Sequence, residues 1–339
     1  MPRAPLELTR DQILAFRRRS GALDERLPWG ARSLRRAAWA GLTDSVPRAA
    51  LLSIHARVEG TQPSTWEDRS LVHVWGPRYS TYLVPVRDRG IFTLARYPDA
   101  LQRRRVAEDM AARVHAYLAG RRLPDGLVQR ELGIGNAIKY AAATGTVLIR
   151  WDGARSPTVW TVPAPELDPH DARRELVRRY LHVLGPATPA AFAAWAGLGE
   201  REARATFDGL GKSLSPVRTP IGDGWILTRD EPLFREPPGR PAPARLLPSG
   251  DTYFLYWGAG RELLIRDAAR RAELWTTRVW PGAVLVAGQI VGTWRRAQGE
   301  VSIRAWRRLT RAERAAVEVE AHGLPLPGVE GEVSVRWNS

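Results

Sequence analysis

RELVRRYLHVLGPATPAAFAAWAGLGEREARATFDGLGKSLSPVRTPIGDGWILT, residues 174–228, decides the fold. An amphipathic helix runs to a turn at Gly185-Pro186. TPAAFAAWAGL then reads as a short helix, with Thr188 as its cap and Pro189 in its first position. EREARATFDGL predicts a second helix, and the two strand runs after it predict a hairpin turning at Gly222-Asp223-Gly224. Helix, turn, helix and hairpin in this order predict a winged helix, a relative of the helix-turn-helix fold.

The same grammar recurs upstream. RVHAYLAGRRLPDGLVQRELGIGNAIKYAAATGTVLIRWDGARSPTVWTV, residues 113–162, has a helix, a turn at Pro124-Asp125, the short helix GLVQRELG and another helical run. TVLIRW and TVWTV follow as a strand pair around a tight Gly153-Ala154-Arg155 turn. The N-terminal part offers a third copy: helical LTRDQILAFRRRSG, SLRRAAWAG and VPRAALLSIHARVEG, then LVHVWGPRYSTYLVP (71–85) as a hairpin turning near Gly76-Pro77-Arg78. The proline-rich EPLFREPPGRPAPARLLP (231–248) reads as an extended linker. Beyond it TYFLYW, ELLIR, AVLVAGQIVGTWRR and EVSIRAW predict strands, with a turn at Gly288-Gln289, closed by a helix near residues 309–323. The fold class is α+β: winged helices at 1–100, 101–168 and 169–230, the linker at 231–248, and a β-rich domain at 249–339.

Composition narrows the function. The 339 residues carry no cysteine, which removes disulfides, thiolate zinc sites and a Cys nucleophile and suits a reducing cytoplasm. No secretory signal is read at the N-terminus, and no apolar run is long enough for a bilayer. The net charge of +15 is carried almost wholly by arginine; only Lys139 and Lys212 are lysines. A GC-rich genome accounts for arginine over lysine but not for base over acid. The excess points to a polyanionic partner, nucleic acid ahead of a membrane surface. The six histidines show no helical i, i+4 pair and no HExxH. GLGEREA and GIGNAIK lack the lysine pattern and the strand context of a phosphate loop, and GxSxG is absent. No cofactor and no metal are expected.

In WAGLTDSVPRAALLSIHARVEG, residues 39–60, Thr43, Asp44 and Ser45 stand just before a helix predicted to begin at Val46-Pro47. All three can cap it, and a loop at a helix start can also present a side chain to a cleft. Arg78 and Tyr79, at the 71–85 hairpin turn, suit phosphate contact and base stacking, or an ordinary exposed turn.

Together these segments resemble a bacterial winged-helix DNA glycosylase family, the one that includes AlkZ and YcaQ. The resemblance covers nearly the whole chain. It is carried most specifically by YLHVLGPATPAAFAAWAGL (180–198), ARLLPSGDTYFLYW (244–257), AVLVAGQIVGTWRR (283–296) and WEDRSLVHVWGPRYSTYLVP (66–85). It implies tandem winged helices in a C-shape whose concave basic face holds duplex DNA. It also implies hydrolysis of the N-glycosidic bond of alkylated purines, bulky and crosslinked ones included, without metal or cofactor. The family carries Gln-x-Gln or Gln-x-Asp before the helix that opens with Val46-Pro47; here those positions are Thr43 and Ser45, with Asp44 between them. The family's Arg-Gly-Thr-Leu-His is Arg78-Tyr79-Ser80-Thr81-Tyr82, so Tyr82 replaces the histidine. The expected catalytic group is therefore Asp44 with Thr43 and Ser45. The expected DNA contacts are Arg78, Tyr79, Tyr82 and Arg48, and His55, Glu59 and Asp251 are reserves. The partner expected is duplex DNA, bound by a monomer in the cytoplasm, at the nucleoid. Replacement of the Gln motif leaves two further readings: a non-catalytic lesion sensor or regulator, and a scaffold that does not touch DNA.

Overall fold

The computed structural model describes residues 5–151, 156–329 and 331–338; the expected turn at 153–155 lies outside them. The architecture is mixed α+β. Three units each place helices before a two-stranded hairpin, and each carries a small three-stranded sheet completed from outside its hairpin.

In the unit read first, the helix Pro169–Leu184 is capped by Asp168, whose side chain accepts from the backbone of His170 and Asp171. Leu176, Val177, Tyr180, Leu181 and Leu184 repeat at helical spacing and are buried. Thr188 caps Pro189–Ala196 by accepting from Ala191 N, and Gly197 ends that helix in a left-handed conformation. Glu200–Leu210 follows, then the antiparallel strands Leu214–Thr219 and Gly222–Leu227. Thr219 pairs with Gly222, so the turn is Pro220-Ile221, one step before the expected glycine turn. Trp195, Phe192 and Tyr180 form an aromatic cluster in the core.

The second unit runs Leu101–Leu118, the strand Leu123–Pro124, Asp125–Leu132, Ile138–Ala141 and the strands Val147–Arg150 and Thr158–Thr161. Val114, Leu118, Val128, Ile138, Ile149 and Val159 close its core. The N-terminal unit has the helices Ala31–Ala37 and Ala49–His55 and the strands Leu42–Thr43, Leu71–Trp75 and Thr81–Pro85, with Thr43 opposite Tyr82.

The first 20 or so residues do not belong with that unit, contrary to a 1–100 domain. Leu6–Glu7 pairs in parallel with Val217 and Arg218 of the 169–230 unit. The helix Arg10–Ser20 buries Ile13 and Phe16 against Val217, Ile226 and Phe234. Parallel pairing across more than 200 residues leaves no local signal.

The expected linker is also corrected. Glu231–Arg235 is a helix that buries Phe234, and Ala244–Leu247 is a buried edge strand. That strand opens a five-stranded sheet continued by Gly282–Val286, Gln289–Ala297, Glu300–Ala305 and Ser334–Asn338. The last two are parallel, and the helix Arg311–His322 covers the sheet with Val317 and Ala321. The hairpin turn is Ala287-Gly288, both at positive φ, as a two-residue turn between antiparallel strands prefers. TYFLYW and ELLIR are not strands. Thr252–Phe254 is a single 3-10 turn capped by Asp251, and Gly260–Leu264 is helical.

Candidate active site

The loop 43–48 leaves the strand Leu42–Thr43 and enters the helix Ala49–His55, which starts later than Val46-Pro47 because Arg48 takes a left-handed conformation (φ 63°). Asp44 caps it from upstream: Oδ1 accepts from Ala50 N at 3.0 Å. Oδ2 accepts from His73 Nε2 at 3.0 Å and lies 3.8 Å from an Arg48 nitrogen. Asp44 is 1% exposed, so its carboxylate lies behind the loop surface. Arg48 is also buried; its guanidinium stacks on Trp66 at 3.7 Å and donates to Trp151 O at 3.1 Å. Arg296, from the C-terminal sheet, donates to Pro47 O at 2.6 Å, and burial together with Arg48 pushes its pKa down.

Of the three motif residues, Ser45 alone is exposed. Thr43 is buried, and its hydroxyl donates to Gly250 O at 2.8 Å. Gly250 has φ 71°, and a Cβ there would stand 2.7 Å from the Thr43 hydroxyl, so both backbone angle and contact demand glycine. On the other side of the loop, Thr252 donates to Gly41 O at 3.0 Å. Between these, Asp251 is bidentate to Arg57 at 2.7 and 2.8 Å, and accepts from Ser53 Oγ and Tyr253 N. The segment 250–252 thus grips the site loop and its helix.

The other expected residues divide. Arg78 is exposed at the hairpin turn, but it also donates to Ala194 O at 3.0 Å and lies over Trp257. Tyr79 stacks with Arg96 at 3.7 Å and meets Tyr140 edge-on. Tyr82 is corrected as a DNA contact. It is 2% exposed, opposite Thr43 in the sheet and edge-on to Trp195, and burial pushes its hydroxyl pKa up. Arg48, at 7% exposure, serves the loop interior rather than a DNA surface. Asp251 is a buried clamp. Glu59 is exposed past the far end of the helix.

His55 also sits at that far end, bonded through Nδ1 to Thr61 Oγ1. Burial, then Arg26 and Arg245, lowers its pKa from 6.5 to about 3, which makes it a weak base. The unfolded chain takes up a proton here below pH 6.5 that the folded chain refuses until about pH 3. Its contribution is therefore full above pH 6.5 and is lost as pH falls, by about 2 kcal/mol at pH 5. Urea midpoints at pH 7.5 and pH 5 should converge in His55→Gln relative to the parent; equal pH sensitivity would refute the assignment.

His73, Trp66, Arg296 and Arg57 were not singled out from the sequence. His73 is opposite Leu83 in the hairpin and 29 residues from Asp44, so only the strand register could have placed it. No group of three or more potential metal ligands occurs among the described residues, and no described helix is long and apolar enough to cross a membrane.

The Streptomyces sahachiroi DNA glycosylase AlkZ superposes with a TM-score of 0.78 at 20% identity, covering 98% of this chain and 100% of that one, which establishes the shared fold. An interstrand DNA cross-link repair glycosylase of Streptomyces sahachiroi is 28% identical over 207 residues, 56% of this chain and 53% of that protein. The alignment therefore spans about half the length of the curated relative. A family model described as DNA glycosylase AlkZ-like matches residues 36–325, a span that contains the site loop, all of its partners and most of the C-terminal sheet: the chain belongs to the AlkZ-like DNA glycosylase family.

Proposed function

We propose that the chain is a monofunctional DNA N-glycosylase that hydrolyses the glycosidic bond of alkylated purines in duplex DNA, including bulky or crosslinked adducts. The three units are winged helices in tandem, curved around a concave basic face, and Arg78 contacts the DNA backbone beside the lesion, with Tyr79 next to it. The observation that carries the reading is the loop itself. At the position of the family's motif, solvent-facing Ser45 lies directly beside a fixed, buried carboxylate, Asp44. Cleavage builds positive oxocarbenium character on the sugar, and preorganised negative charge stabilises it. An N7-alkylated purine is already cationic and leaves readily, so a modest site suffices. In this reading Ser45 orients the attacking water, Asp44 supplies charge from behind it, and Thr43 holds the loop to Gly250.

A second reading, a DNA-binding relative without the reaction, is favoured by one observation: both Asp44 oxygens are already engaged inside the protein. Single-turnover cleavage of duplexes carrying N7-methylguanine or a nitrogen-mustard crosslink, read out as abasic sites, separates the two. Enzyme-dependent release supports the glycosylase; tight binding without release supports the binder. Binding itself should fall on the order of a thousandfold between 50 and 200 mM salt if about six phosphates are neutralised. A flat salt response in a mobility-shift titration would sink both readings.

A further inference from the structure

A cleft of about 760 Å³ opens between the helices Arg10–Ser20 and Ala31–Ala37 and the C-terminal end of Pro169–Leu184. None of the site-loop residues 43–48 lines it, although Thr252, which holds Gly41, does. Its wall includes Arg57, just past the C-terminus of the helix Ala49–His55, whereas Asp44 caps the N-terminus of that helix. A helix of this length spans roughly 10 Å.

The wall contains seven arginines and no Asp or Glu. Arg57 is neutralised by Asp251. Arg87 and Arg229 are mostly exposed and only loosely placed at 3.7 and 3.9 Å from Asp88 and Asp230, whose closer partners are Arg179 and His182. Arg32, Arg35 and Arg36 have no side-chain hydrogen bond or ion pair with any described residue. Arg32 stands three and four positions from the other two on the same helix, so their like charges repel.

Arg17 is the most telling. It is 1% exposed and lines the cleft. Its Nε and Nη2 donate to the carbonyls of Gly185 and Leu184 at 2.9 and 2.8 Å. Its Nη1 is buried without an acceptor among the described residues, and no carboxylate lies in ion-pair range there. A buried cation with a spare donor is costly on both counts. An anion in the cleft offsets the charge of Arg17, whose other neighbours are two carbonyls and the Tyr256 ring at 4.7 Å, and relieves the repulsion along Ala31–Ala37.

We propose that this cleft is an anion site that takes a terminal phosphate of nucleotide chemistry. Guanidinium forks match phosphate oxygens in number and geometry. The volume exceeds that of a lone inorganic ion and lies in the range of small-molecule sites. Half-buried Trp39, in the same wall, offers an apolar surface to the nucleoside part. The phosphate comes either from a free nucleotide or from the 5′ end of a DNA strand, and the proposal does not depend on the glycosylase reading.

Isothermal titration of the full chain with pyrophosphate, ATP, and a short oligonucleotide with or without a 5′-phosphate tests it. Saturable one-to-one binding of pyrophosphate is expected, weakened at least about tenfold in Arg32→Ala/Arg36→Ala. Both positions are exposed on a helix surface, so the fold should survive; circular dichroism and the urea midpoint check this. ATP binding more tightly than pyrophosphate identifies a free nucleotide. A preference for the 5′-phosphorylated oligonucleotide over its 5′-hydroxyl counterpart identifies a strand end. Absence of saturable binding by all probes, or equal affinities in parent and double variant, overturns the proposal.

Discussion

Asp44→Asn should reduce single-turnover release of N7-methylguanine by about a hundredfold, the scale expected when a preorganised charge of about 3 kcal/mol is removed from a transition state. The substitution is chosen for what it keeps. An amide oxygen can still accept from Ala50 N, so the helix entry survives, and the residue volume is unchanged. What it removes is the charge shared with His73 and Arg48. Loss of one partner from a buried ionic cluster also destabilises, by about 3 kcal/mol, so the urea midpoint must be measured and cleavage compared well below it. His73→Gln serves as the companion variant, because it breaks the other contact of Oδ2 while leaving the carboxylate in place. Cleavage lost in Asp44→Asn but largely kept in His73→Gln assigns the effect to charge. Undiminished cleavage by folded Asp44→Asn would mean that Asp44 is a helix cap alone and that the chemistry lies in Ser45 and the substrate's own reactivity.

The sequence makes local devices legible and hides distant ones. Thr188, Pro189 and Gly197 mark both ends of a helix within ten residues, so that unit reads correctly apart from its turn. The Thr43-Asp44-Ser45 cap is equally local, and Asp44 does cap the helix. TYFLYW misleads because aromatic residues favour strands, while Asp251 fixes the backbone as a turn through Tyr253 N. Tyr82 misleads for a related reason. A strand alternating on one buried face would expose alternate residues, but all five of Thr81–Pro85 are buried, with packing on both faces. The partners that complete the site lie far along the chain: His73 by strand register, Arg296 from the C-terminal sheet, and Asp251 at a separation of 194 residues from Arg57. Periodicity carries no information about such pairings.

Asp251→Ala should cost the folded state about 3–5 kcal/mol, the range for breaking a buried pair by removing one partner. Arg57 would keep its hydrogen bond to Ser53 O but lose its counter-ion at 3% exposure, and the hydroxyl of Ser53 and the amide of Tyr253 would lose their acceptor. The loss reaches the site through two neighbours. Gly250 and Thr252 flank Asp251 and hold Thr43 and Gly41, the last residue of the strand Leu42–Thr43 and the residue just before it, at the entry to the candidate site loop. A loosened 250–252 segment therefore frees Ser45 to move relative to Asp44, and geometric loosening of about 1 Å can cost on the order of a hundredfold in rate. Asp251→Asn keeps one acceptor oxygen, enough for Tyr253 N or Ser53 Oγ but not both, and loses the charge, so it should fall between Asp251→Ala and the parent in urea stability. Cleavage by each variant, measured where it is still folded, should rank in the same order. If Asp251→Ala were as stable as the parent, the clamp would not secure the fold. If it were destabilised yet cleaved at the parental rate, the clamp would stabilise the protein without positioning the loop.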